Sequence, residues 1–132
     1  CLYFSNAYSG PKAIFYRKFG NLDEYEPPMG LLQATLDIIK IVKPRYWVIE
    51  NVKGAVPYFH KYLGKPQQII DAYYFWGNFP KICTQGATIP TKAEIDRRHS
   101  PLRANYRAQI PLPISMGLLT GILEQTTIEY WS

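Results

Sequence analysis

The sequence predicts an α/β fold in which a mostly parallel sheet carries a crossover helix. Three observations point there. An amphipathic helical pattern runs from Met29 to Lys43, an almost entirely apolar run follows at once from Tyr46 to Ile49, and that run ends abruptly in Glu50-Asn51. Tyr46 to Ile49 alternate poorly, as expected of a strand covered on both faces. In open α/β sheets the carboxyl ends of such strands face the ligand crevice, so Glu50 is expected at a site.

The elements follow in order. Cys1 to Gly10 is turn-rich and ends in Ser9-Gly10-Pro11, as a loop after a strand would. Ile14 to Phe19 mixes apolar and basic residues and leaves helix and loop both open. Pro27-Pro28 then punctuates the chain. In the helix that follows, Leu31, Leu32, Leu36, Ile39 and Val42 recur at helical spacing, with Gln33, Asp37 and Lys40 between them. Lys43 in the last turn and Pro44 beyond it are stop signals. Helix, tight turn and strand form the second half of a βαβ unit whose first strand lies upstream. If that strand ends just before Cys1, a right-handed crossover sets Cys1 and Glu50 at the same end of neighbouring strands. Ala72 to Trp76 is a second, aromatic strand closed by Gly77-Asn78-Phe79-Pro80. Residues 81–107 read as loop with at most a short helix from Lys92 to Arg98. A final helix begins near Leu112 and continues to about Gln125, with Ile114, Leu118 and Ile122 on one face.

At 132 residues the chain is at most one domain, and its 47% apolar content supports a core. Fifteen basic against ten acidic residues give a net charge of +5, which suits a polyanionic partner without demanding one. The excess gathers late, at Lys92, Arg97, Arg98, His99, Arg103 and Arg107. A solvated loop and a phosphate-contacting strip are equally good readings of it. Two cysteines, Cys1 and Cys83, make no disulfide framework and point to a reducing, intracellular setting. No stretch approaches 18 apolar residues, no signal peptide is visible, and no metal-ligand spacing occurs.

Taken alone, Glu50-Asn51 starts a loop and Cys1-Leu2-Tyr3-Phe4-Ser5 is a cysteine beside aromatics. Together with Ala108-Gln109-Ile110-Pro111-Leu112-Pro113-Ile114 they form an ordered set. That set resembles the carbon-5 cytosine-specific DNA methyltransferase family. Cys1 to Ser5 match the nucleophile motif, Pro-Cys-x-x-Phe-Ser. Glu50 to Val52, with Pro-Arg-Tyr-Trp-Val-Ile before and Lys-Gly after, match the Glu-Asn-Val motif. Residues 108–114 are similar to the Gly-Asn-x-Val-Pro-Pro segment that closes the cofactor lobe, and Trp76 to Pro80 is similar to compact phage or prokaryotic members.

The resemblance implies a partial Rossmann-like S-adenosylmethionine-dependent methyltransferase fold lacking its N-terminal strands, a carboxy-terminal piece spanning residues 1–132. It implies Cys1 as the nucleophile that adds to carbon-6 of a flipped cytosine, Glu50 as the acid at ring nitrogen 3, and Asn51 as the holder of the nucleophile loop. It places Leu31, Ala108, Gln109 and Ile110 against S-adenosylmethionine. Ser5, Arg97, Arg98 and Arg103 are the candidate nucleic-acid contacts. The implied partners are double-stranded DNA and the N-terminal part of the same enzyme, and the implied location is cytoplasmic or otherwise DNA-associated within the cell.

The chain departs from the family pattern at several points. It has no proline before Cys1 and no Phe-x-Gly-x-Gly loop, and Arg107-Ala108 stand where Gly-Asn is usual. Residues 53–107 form a reduced region with little room for a target-recognition insert. The family's Gln-x-Arg-x-Arg segment is expected near Pro66-Gln67, where Gln67-Gln68-Ile69-Ile70-Asp71 contains no arginine. Two other readings stand beside this one. One is a non-catalytic nucleic-acid-binding domain. The other is an N-terminal-nucleophile hydrolase using the α-amine of Cys1 as base, which leaves Glu50-Asn51-Val52 unexplained.

Overall fold

The computed structural model describes residues 27–84, 86–89 and 109–129, with side chains to Gln125 in the last segment. In chain order the elements are helix α1 (Gly30–Val42), strand β1 (Trp47–Asn51), a 3-10 turn (Lys53–Ala55), helix α2 (Val56–Leu63), strands β2 (Gln68–Ile70) and β3 (Tyr73–Asn78), and helix α3 (Leu112–Glu129).

The sheet overturns the mostly parallel, Rossmann-like arrangement expected from the sequence. It has three strands in the order β1-β3-β2, and both pairings are antiparallel. The cause is local. Asp71-Ala72 forms a two-residue hairpin loop between the paired Ile70 and Tyr73, with Asp71 at a positive φ of 51°. The hairpin turns β3 straight back, and β3 lies between β2 and β1. Strands β1 and β2 therefore run in the same direction, joined through α2, with an opposing strand between them.

Helices cover both faces. Pleating sends alternate residues of each strand to opposite sides. On one side Tyr73 and Phe75 pack with Phe79, Ile82 and Ile114 of α3, joined by Ile70 and Leu118. On the other, Trp76 packs with Leu32 of α1 and with Ala55 and Phe59, joined by Ile49, Leu36 and Leu63. The apolar run at Tyr46–Ile49 reflects this sandwiching, yet β1 is only half buried and Val48 is exposed. Among the described residues β1 is an edge strand, which explains the difference.

Sequence chemistry sets the element ends. Lys43 takes a left-handed conformation (φ 50°) and its N–H bonds Ile39 O at 2.8 Å, after which Pro44 prevents continuation. The inward face of α1 is narrower than its periodicity implied. Leu32 is buried, but Leu31 and Val42 are exposed. Helix α2 begins with Pro57 in its first turn and places Val56, Phe59 and Leu63 at i, i+3 and i+7 against the sheet. In β3, Gly77 sits at φ 150°, and a Cβ there would lie 2.1 Å from Trp47 O, so only glycine lets β1 approach.

Helix α3 is held close by small residues. A Cβ on Gly117 would come 2.4 Å from Cys83 O, and one on Gly121 would come 3.1 Å from the Pro80 ring. These glycines, four residues apart, let the helix backbone lie directly on the segment after β3. Tyr46 Oη donates to Gln125 Oε1 at 3.0 Å, which ties the far end of α3 to the entrance of β1.

Candidate functional site

Glu50 and Asn51 close β1, and the pleat sends them to opposite faces. Glu50 pairs across the ladder with Phe75 and belongs to the α3 side, whereas Asn51 pairs with Tyr74 and belongs to the α1–α2 side. Among the described residues Asn51 is the one buried polar side chain, and its Oδ1 accepts the Val52 N–H at 2.9 Å. That bond fixes the turn out of the strand. Ala55 N–H then bonds Val52 O at 2.9 Å, and Ala55 is fully buried at the start of α2.

Tyr73 lies on the Glu50 face of the sheet and feels the charge of that carboxylate. Burial raises the Tyr73 phenol above its ordinary value of 10.0, and the negative charges of Glu50 and then Asp71 raise it further. A carboxylate, a neutral phenol and the Asp71 turn therefore share the end of the sheet where β1 finishes.

The same end collects two other sequence signals. Helix α1 leads directly into β1, and Met29 and Leu32 at its start belong to the cluster that includes Ala55, just beyond Asn51. Its first turn, with Leu31, therefore lies at the Glu50–Asn51 end. Ile114, in the first turn of α3, packs with Tyr73 and Phe75, while Gln125 reaches Tyr46 at the opposite end. The segment Gln109-Ile110-Pro111 thus enters at the Glu50 end too. Leu31 and Gln109-Ile110 thus flank the Glu50-Asn51 end of the sheet from opposite faces.

Leu31 is 85% exposed, and Gln109 and Ile110 are also exposed. These residues offer contact groups at an open surface, but alone they do not enclose a molecule of the size of S-adenosylmethionine. Cys1, Ser5, Arg97, Arg98, Arg103 and Ala108 lie outside the described residues. Among the described residues no group of three or more His, Cys, Asp or Glu side chains could hold a metal ion, and no helix is long and apolar enough to cross a membrane.

Where arginines were sought near Gln67, the structure uses two glutamines as braces. Gln67 Nε2 donates to Phe79 O at 2.9 Å. Gln68 Nε2 donates to Ile82 O at 2.8 Å while its Oε1 accepts Ile82 N–H at 2.9 Å. Both side chains are committed to the backbone of the segment that α3 packs on. Sequence reasoning also missed α2, although Val56, Phe59 and Leu63 with Pro57 and Gly64 at its ends carried the signal. No protein-family model, curated protein or solved structure matches this chain.

Proposed function

We propose that this chain is the carboxy-terminal segment of a carbon-5 cytosine DNA methyltransferase, carrying the nucleophile and the acid of the reaction. The observation that supports it best is that Glu50-Asn51, the start of α1 and the approach to α3 lie toward one end of the sheet. Those stretches hold two of the three motif strings and the Leu31 position, and a site assembled from them requires such proximity.

Carbon-5 of cytosine is a poor nucleophile until carbon-6 has been attacked. Addition of the Cys1 thiolate at carbon-6, with a proton delivered to ring nitrogen 3 by Glu50, turns the ring into an enamine. Asn51 holds the nucleophile loop in this reading, and its Oδ1 accepts the Val52 N–H that fixes the turn out of the strand. S-adenosylmethionine supplies the methyl group in the complete enzyme. The sequence contains no Phe-x-Gly-x-Gly loop to cradle it, so this chain by itself is expected not to methylate DNA. Duplex DNA and the cofactor-binding part of the enzyme are the partners of this reading, and the location is DNA-associated within the cell.

The partial reaction tests it without cofactor. Addition at carbon-6, protonation of carbon-5 by solvent and loss of the thiol regenerate cytosine with its carbon-5 hydrogen exchanged. Duplex DNA tritiated at cytosine carbon-5 should release tritium to water with the wild-type chain and not with Cys1→Ser. Equal release from both, or none from either, defeats the catalytic assignment.

A second reading, a nucleic-acid-binding domain without chemistry, is favoured by one observation. Gln67 and Gln68 brace the backbone where the family pattern has base-contacting arginine. It predicts salt-sensitive DNA binding that survives Cys1→Ser, with no exchange at carbon-5.

A further inference from the structure

Helix α3 is apolar on two opposite faces. Its inner face is already committed. Ile114 and Leu118 pack with Tyr73 and Phe75, and Gly117 and Gly121 seat the backbone on Cys83 and Pro80. Leu112, Met116, Leu119 and Leu123 form the other face and are between 48% and 71% exposed. At about 100° of turn per residue these four fall within roughly 60° of arc, on the side away from Ile114, Gly117 and Gly121. From Leu112 to Leu123 the chain holds no charged residue. A helix that is apolar on both sides is expected to be covered on both sides.

The spacing of the stripe indicates the shape of what covers it. The intervals are 4, 3 and 4 residues, the seam of a helix pair that meets knobs into holes. That series reads the same in both directions. A second copy of α3 running antiparallel about a two-fold axis therefore meets it residue for residue, with Leu112 against Leu123 of the other copy and Met116 against its Leu119. Beside the seam stand Pro113 and Thr120 on one edge and Ser115 and Ile122 on the other, so no charge meets its own copy across the axis. The exposed stripe on α1, formed by Leu31, Ile38 and Ile41, lacks this property, because Asp37 with its Lys40 ion pair borders it.

We propose that the outer face of α3 is a self-association surface, on which a second copy of this chain docks its own α3 antiparallel. The seam is about 17 Å long on a helix about 10 Å across, so it buries on the order of a few hundred Å² per copy, below the roughly 800 Å² of a standard stable interface. The dimer is therefore weak and forms at high concentration. An anionic membrane fits less well, because Leu112–Glu129 holds no lysine or arginine to meet the headgroups. The surface uses neither Cys1 nor Glu50, and it stands or falls apart from methyl transfer.

The test is equilibrium sedimentation of the full chain from about 10 µM to about 1 mM. Its mass should rise from 15.3 kDa toward twice that value as concentration increases. Met116→Glu with Leu119→Glu sets like charges across the axis and should raise the dissociation constant by at least about a hundredfold. Met116→Lys with Leu119→Lys should do the same, and an equimolar mixture of the glutamate and lysine variants should associate again. A wild-type chain that stays monomeric throughout, a dimer that the glutamate variant leaves intact, or a mixture that stays monomeric overturns the proposal. Should the variants not fold, methionine oxidation of the wild-type chain decides. Peroxide should modify Met116 more slowly as the chain is concentrated, with Met29 as the reference. Met116 oxidation that keeps a constant ratio to that of Met29 at every concentration overturns it.

Discussion

Gln68 grips the peptide of Ile82 from both sides, giving a hydrogen bond to its carbonyl at 2.8 Å and taking one from its N–H at 2.9 Å. A side-chain amide here imitates a neighbouring strand and extends the β2 edge of the sheet to a segment that is not itself a strand. Ile82 is buried with Tyr73, Phe75 and Ile114, so the grip also sets the floor on which α3 lies.

Gln68→Leu should therefore destabilise the chain by about 1–3 kcal/mol, because it leaves a buried N–H and a buried carbonyl without partners. Gln68→Glu should also be destabilising, since a carboxylate can accept from Ile82 N–H but cannot donate to its carbonyl. Chemical denaturation at neutral pH measures both. A Gln68→Leu variant as stable as wild type would show that the grip contributes nothing.

Glycine substitutions should change sign with place. Gly117→Ala sets a Cβ 2.4 Å from Cys83 O, where backbone must move, and overpacking of this kind costs about 1–3 kcal/mol. At Gly30 nothing lies within 4 Å, so Gly30→Ala should instead stabilise α1, by up to about 1 kcal/mol. The pair is compared in one set of thermal melts. A Gly117→Ala variant that melts at or above wild type would contradict the close seating of α3.

How much of this was legible in the sequence depends on the range of the forces involved. Local signals placed α1, β1, β3 and α3 within a few residues, because helical spacing, Lys43-Pro44 and the Gly77–Pro80 turn act over one or two turns of chain. Strand direction did not follow. The apolar run at Tyr46–Ile49 reports cover on both faces, and that cover is compatible with parallel and antiparallel neighbours alike. The deciding feature was Asp71-Ala72, a two-residue loop with neither Asn-Gly nor Asp-Gly to announce it. At the candidate site, the placing of Glu50 at a strand end was readable from sequence. Its company was not, because Tyr73 comes beside it through sheet register and Ile114 of α3 then packs on Tyr73.

The acid at the end of β1 gives the prediction tied most closely to function. Glu50→Gln removes the proton that assists attack on cytosine while keeping the shape of the side chain. General acid assistance contributes about 10²–10⁴ in rate, so carbon-5 hydrogen exchange should fall by that factor, with DNA affinity little changed. Exchange by Glu50→Gln at the wild-type rate would remove Glu50 from the chemistry.

Tyr73 carries a pH signature of the same corner. Its folded pKa is raised above the ordinary 10.0, first by burial and then by the charges of Glu50 and Asp71. The sign follows from proton counting. Above about pH 10 the unfolded chain releases the phenolic proton while the folded chain keeps it, so the folded state binds more protons and stability falls as pH rises. Stability from this group is fully present below the unfolded value and is lost on the way up to the folded one. Urea midpoints followed from about pH 8 to about pH 11 should therefore decline in wild type beyond the ordinary tyrosine range. Tyr73→Phe should flatten that decline, because no proton remains to be withheld. Glu50→Gln should flatten it in part, since it removes one of the two charges but leaves the burial. A wild-type curve that coincides with Tyr73→Phe across the alkaline range would mean that Tyr73 is not held neutral by the fold, and would separate it from Glu50.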